Sequence, residues 1–241
     1  MPTTNTQSGT SIDEIADGIH RIHTPVRAMP GGFSFNQYLV VDDEPLLFHT
    51  GGRALFPLVR EAIEKVIPID RLRWISFSHF EPDECGSLNE LLAVAPNAQP
   101  VCGTIGAMVT IGPFADRPPR ALKDGEGLTT GKRTFEWIDA PHLPHGWDCG
   151  FMFERSTKTL LCGDLFTQPG ADTKALTEGD ILGPSEAFRT AMDYFSHGKN
   201  LRPLVEKLAG TNPRTLACMH GSAWRGDGAK LLRALGEALG V

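Results

Sequence analysis

Short apolar runs recur along this chain, and they alternate with stretches of helical periodicity. No other feature constrains the fold as much. Residues 19–23, 37–41 and 45–48 read as strands, the last two joined by a tight Asp-Asp-Glu turn. Residues 54–66 carry Leu55, Leu58, Val59, Ala62, Ile63 and Val66 at helical spacing, with charged residues between them. A short buried-type strand follows at 74–78. Ser87-Leu-Asn-Glu90 has the pattern of a capping box and predicts a helix starting after Ser87. Farther on, 100–103 reads as a strand and 104–111 as a short helix. Residues 135–140, 150–154 and 159–162 read as strands, 185–195 and 201–208 as helices, and 216–219 as a strand. A terminal helix at 228–239 places Leu231, Leu232, Leu235 and Leu239 on one face. Strands interleaved with helices, together with hairpin-like neighbours, imply a layered α/β protein with mixed sheets.

Composition narrows the functional classes. The chain has 241 residues, 41% hydrophobic and 22% charged, with a net charge of −6. That describes a folded globular chain long enough to bury its own core, and it lacks the basic footprint of a nucleic-acid binder. No apolar stretch is long enough to span a bilayer, and the start of the chain has neither the basic nor the apolar region of a secretory signal. The five cysteines, Cys85, Cys102, Cys149, Cys162 and Cys218, are odd in number and widely spaced, with no C-x-x-C pair. A reducing cytoplasmic setting with buried structural thiols is expected. Residues 1–14 are polar and expected to be flexible. Residues 15–241 are expected to form one domain.

The densest chemistry follows the strand at 74–78, in Ser78-His79-Phe80-Glu81-Pro82-Asp83-Glu84-Cys85-Gly86. Loops at the carboxyl ends of strands are where open α/β sheets bind ligands. The H-x-E-x-D spacing puts donor atoms on alternate residues, which an extended segment can aim to one side. One loop cannot complete a metal site alone. Three other runs also end at donors: His142 and His145 in A-P-H-L-P-H-G-W-D, Asp164 in L-L-C-G-D-L-F, and His220 in C-M-H-G-S. Imidazoles mixed with several carboxylates form a donor set that suits iron or manganese better than a site of imidazoles or thiolates alone. Among the remaining histidines, only His49 also sits at a strand end. Asp148, Ser78 and Ser222 are candidate hydrogen-bond partners for the ligands.

The order H-x-E-x-D, then His, Asp and His, resembles the metallo-β-lactamase fold in its flavodiiron-protein branch. Glu81 stands where the hydrolase branch has a second histidine. The strings S-H-F-E-P-D-E-C-G-S-L and G-F-S-F-N-Q-Y-L-V (32–40) extend the likeness beyond the ligands. The resemblance implies an αββα sandwich and two iron ions bridged by an oxo, hydroxo or peroxo group. His79, Glu81 and His145 would hold one iron and Asp83 and His220 the other, with Asp164 bridging. H-G-W-D resembles the family's histidine followed by an aspartate three residues on, which favours His145 over His142. Glu84 stands where the family often carries histidine. It is included in the expected ligand set, with hydrogen bonding to a bound water as the alternative. Tyr194 resembles a pocket tyrosine of the family, although aromatics such as Phe80 and Trp147 are ordinarily core residues.

The full flavodiiron proteins carry a flavodoxin-like domain with FMN after the metal domain. No such segment is seen here, so no FMN is expected in this chain. The likeness is to stand-alone, oxygen-binding diiron proteins. The implied function is a non-haem diiron protein that binds or activates dioxygen, as sensor, carrier, or O2 or NO reductase with a separate electron donor or signalling partner. A homodimer is expected. The alternative is a dinuclear-metal hydrolase of the same superfamily, in which the metals would activate a bridging water.

Overall fold

The computed structural model describes residues 2–241, and two mixed sheets organise them. The first contains β1 (Thr3–Asn5), β2 (Thr10–Ala16), β3 (Ile19–Val26), β4 (Phe33–Val40), β5 (Leu46–Phe48), β6 (Trp74–Ser76), β7 (Gln99–Gly103) and β8 (Arg120–Leu122), neighbours in chain order. β1 to β5 pair antiparallel and β5 to β8 parallel. Parallel neighbours need crossovers. The first is α1 (Phe56–Glu64). The second combines α2 (Pro82–Cys85) and α3 (Leu88–Val94). The third is a wide helical turn (Gly106–Thr110) running into α4 (Ile111–Phe114).

The second sheet contains β9 (Gly127–Thr129), β10 (Thr134–Asp139), β11 (Gly150–Glu154), β12 (Thr159–Leu161), β13 (Leu176–Thr177), β14 (Thr215–Ala217) and β15 (Ala223–Arg225), in the order β13-β15-β14-β12-β11-β10-β9. Three helices accompany it: α5 (Leu182–Met192), α6 (Leu201–Gly210) and α7 (Gly228–Ala238).

Side-chain alternation stacks these parts into four layers. On β11, Met152 joins the core between the sheets, while Phe151 and Phe153 face the core under α6 and α7. On β10, Phe135 and Trp137 point inward and Ile138 outward. α1 buries Val59, Ala62 and Ile63 on the far side of the first sheet, at the spacing of one helical face. α7 buries Leu232 and Leu235 against the second, and the Asp227 carboxylate caps its first turn by accepting from the Lys230 amide at 2.9 Å. The result is the αββα sandwich expected. No helix among the described residues is long and apolar enough to cross a membrane.

Three local expectations need correction. Residues 3–14 supply β1 and most of β2, where a flexible end was expected over 1–14; Met1 lies outside the described residues. Their polar composition concealed this. Ile12 and Ile15 are buried, and the Thr10 hydroxyl meets the Thr24 hydroxyl at 3.1 Å across the strand pair. The helix after Ser87 starts where expected, but without a capping box. The Ser87 hydroxyl donates to the Gly51 and Gly52 carbonyls, and Glu90 pairs with Arg53 at 2.6 Å. The expected helix at 104–111 is the wide turn followed by α4.

Candidate metal centre

The expected ligands come from four loops at one end of the sandwich. His79 lies just beyond β6. Glu81 follows in extended backbone (φ −137°, ψ 156°), so residues 79 and 81 face the same side, with His79 Nε2 3.5 Å from Glu81 Oε1. Pro82 then opens the helical turn α2, so Asp83 reaches the site from a turn rather than from the extended alternation expected. His145 comes from the loop after β10, Asp164 from the loop after β12 and His220 from the segment after β14.

These side chains converge as two groups sharing one carboxylate. Donor atoms of His79, Glu81, His145 and Asp164 all lie within 4.8 Å of one another. The Nε2 atoms of His79 and His145 face each other at 2.8 Å, and His145 Nε2 is 3.0 Å from Glu81 Oε1. Asp164 Oδ2 lies 3.5 Å from His145 Nε2 and 3.9 Å from His79 Nε2. Its other oxygen, Oδ1, lies 3.2 Å from His220 Nε2, which is 3.4 Å from Asp83 Oδ2. Asp164 therefore presents one oxygen to each group. Oδ1 is buried and, despite that close imidazole, makes no hydrogen bond of good geometry. A buried carboxylate oxygen left unpaired is costly, and a cation would satisfy it.

The surroundings aim the rings. The Nδ1 of His220 donates to the Ser34 carbonyl at 2.8 Å, which turns Nε2 toward the carboxylates. Gly163 (φ +49°) brings the Asp164 loop against Ser78, and a Cβ there would collide with the Ser78 hydroxyl. Electrostatics point the same way. Burial opposes charge on His220, but Asp164 and Asp83 outweigh it and raise its pKa to about 10. Burial likewise opposes charge on His145, and the Glu81 carboxylate overrides it. Hydrogen bonds from His145 and His79 hold the Glu81 carboxyl far below the usual range. The pocket favours positive charge.

Other expected residues lie elsewhere. His142 is exposed, in left-handed backbone (φ 67°), outside the cluster. Glu84, expected among the ligands, turns away from the cluster and is fully buried. Its Oε2 accepts from the amides of Ser78 (2.9 Å) and His79 (2.7 Å), and its Oε1 from the Ser78 hydroxyl (2.5 Å). The cause is α2, which sets Asp83 and Glu84 about 100° apart around its axis, so adjacent carboxylates cannot both face the site. Ser78 is a partner as expected, 3.1 Å from His79 Nδ1. Asp148 instead accepts from the Thr110 hydroxyl, and the Ser222 amide donates to Gln168. Tyr194 stands edge-on to His145 at 6.0 Å, its hydroxyl donating to the Asp164 carbonyl. The sequence reading missed Phe33 and Phe35, whose rings lie 4.4 and 5.3 Å from His220, and Phe188, stacked on Phe33 at 5.7 Å. The alternation in Phe33-Ser-Phe35 was the available signal. All five cysteines are buried and unpaired as disulfides.

An αββα sandwich with histidines and carboxylates at its strand ends defines a protein of the metallo-β-lactamase type, here with a carboxylate-rich centre. A family model described as ODP family beta lactamase matches residues 33–221, and the chain belongs to that family. The curated relatives include a putative diflavin flavoprotein A 2 of Nostoc sp. (27% identical; 75% of this chain, 31% of the relative) and a nitric oxide reductase of Moorella thermoacetica (26%; 90% and 56%). A rubredoxin-oxygen oxidoreductase of Megalodesulfovibrio gigas is 26% identical over 82% of this chain and 50% of its own. The chain thus spans from about a third to little over half of these relatives. The fold matches solved structures of the flavodiiron protein of Giardia intestinalis (TM-score 0.81, 21% identity, 95% of this chain and 59% of that one) and of a fragment of a putative diflavin flavoprotein A 5 of Nostoc sp. (0.82, 17%, 95% of both).

Proposed function

We propose that this chain holds two iron ions and uses them to bind and activate dioxygen, or nitric oxide. His79, Glu81 and His145 would hold one ion, Asp83 and His220 the other, and Asp164 would bridge them. The observation that carries this reading is the division of the Asp164 carboxylate between the two histidine groups. The donor chemistry supports iron: three imidazoles and three carboxylates are a hard, mixed set. The relatives named for nitric oxide reduction and rubredoxin-oxygen oxidoreduction support the same class. When bound, the two metals supply electrons to a small oxidising ligand.

The protein's own groups then do three things. The Ser34 carbonyl holds the Nδ1 proton of His220 away from the centre. The rings of Phe33, Phe35, Phe188 and Tyr194 form an apolar wall from His220 to His145 and restrict water there. An apolar wall suits a small uncharged gas better than a charged ester or a lactam. Glu81 brings negative charge where an imidazole would leave the centre more positive. Repeated reduction would draw electrons from a separate donor protein.

The test is to load the protein anaerobically with iron(II), admit dioxygen and record oxygen uptake and absorbance. Uptake in proportion to bound iron, with a new absorption band absent from Asp164→Ala, is expected. Zinc-dependent ester or lactam hydrolysis with no response of the iron form to oxygen would replace this reading with the hydrolase one.

A further inference from the structure

Glu84 is a charged side chain with no solvent exposure, and its place is more specific than that of a filler. Its carboxylate takes three hydrogen bonds from Ser78 and His79, and Oε1 also lies 3.2 Å from the Nδ1 of His79. Its backbone carbonyl accepts from the Thr50 amide at 2.7 Å. One residue therefore ties the end of β6 to the loop after β5 and touches the ring of a candidate ligand from behind. On its other side stands His49. That ring is also fully buried, its Nε2 3.5 Å from Glu84 Oε1, and neither nitrogen has a hydrogen-bond partner. His49 also adopts left-handed backbone (φ 66°), a conformation that residues with a Cβ rarely take. An imidazole kept in that conformation beside a buried carboxylate calls for a reason other than packing.

We propose that Glu84, backed by His49 and acting together with the Ser78 hydroxyl that it orients, is a positioning residue that fixes the proton on His79 Nδ1 and so aims the Nε2 lone pair of His79 into the metal centre. A carboxylate behind a ligating imidazole sets its tautomer and its orientation and raises its basicity. The His49 ring presents its Nε2 edge to the oxygen that faces His79, so it steers that oxygen. His220 receives the same service from a neutral acceptor, the Ser34 carbonyl. The two halves of the centre are thus tuned differently, with the charged acceptor behind the half holding two histidines. This inference rests on the metal reading above, but not on the metal being iron.

Zinc(II) is the probe, with proton and nitrogen NMR of the histidine rings. In the zinc-loaded wild type, His79 should show a downfield, slowly exchanging Nδ1 proton. In Glu84→Gln the amide NH2 would take the place of one acceptor. The His79 resonance should then move upfield or exchange with water, and zinc affinity should fall by about 10- to 100-fold. His49→Gln should shift the same resonance by less. The Nδ1 proton of His220, held by Ser34, should stay in place throughout and reports that each variant is folded. An unprotected Nδ1 on His79 in the wild type would overturn the proposal without any variant. Wild-type zinc affinity in folded Glu84→Gln would overturn it equally. A wild type that binds zinc with these signals but takes up no iron would sink the diiron reading and leave this one standing.

Discussion

At the scale of single residues, position within a turn decided more than residue type. His142 and His145 lie three apart in a loop rich in proline, yet only His145 reaches Glu81 and Asp164. His145→Ala should lose most bound metal, whereas His142→Ala should retain it, as read by metal content after gel filtration. The reverse pattern would mean the ligand loop is misassigned. Asp83 and Glu84 make the same point. The short sequence H-x-E-x-D-E shows a cluster of donors, but not which carboxylate α2 turns inward. His23 gives a prediction away from the centre. Burial, together with the charge of Arg21, whose guanidinium donates to Nδ1 at 2.9 Å, lowers its pKa from 6.5 to about 4, although Nε2 donates to the Ala171 carbonyl and Asn36 and Asp172 stand nearby. In the folded protein it stays neutral where the unfolded chain takes up a proton. Stability should therefore fall as pH drops from about 6.5 to about 4, by about 3 kcal/mol in total. His23→Gln should flatten that part of the pH dependence in chemical denaturation, while wild-type slope in the variant would assign the loss to other groups.

At the scale of elements, periodicity was a good guide wherever one face is buried. α1 and α7 were legible because leucines, valines and isoleucines recur at helical spacing above a sheet. β11 was legible as an apolar run because both of its faces are covered, Met152 by one sheet and the two phenylalanines by the helices. β1 and β2 were not legible, since their polar residues look like a solvated tail, whereas the Thr10 hydroxyl is met by Ser8 in the turn before it and by Thr24 on β3. Short pieces such as β8, β9, β13 and β15 also escaped notice. Two or three residues carry too little pattern, and long-range pairing creates them. Ile15 tests the correction. It is 1% exposed within the core between the sheets, so Ile15→Ala should cost about 2–4 kcal/mol in urea denaturation. A change below about 0.5 kcal/mol, the size usual for exposed sites, would return residues 10–16 to the status of a tail.

At the scale of the whole molecule, the sandwich exists to bring four distant loops together. β6, β10, β12 and β14 come from both sheets, and their carboxyl-end loops carry every side chain of the candidate centre. The gathering of these histidines and carboxylates at one end was readable from sequence, because each follows an apolar run. The sharing of Asp164 between two groups and the aromatic wall were not, because both depend on how the sheets face each other. In the function proposed above, this geometry selects two iron ions. The most direct test is elemental analysis of the protein purified from cells supplied with both iron and zinc. About two irons per chain are expected, falling to one or fewer in Asp164→Ala. About two zincs per chain, or full iron retained in Asp164→Ala, would contradict that proposal.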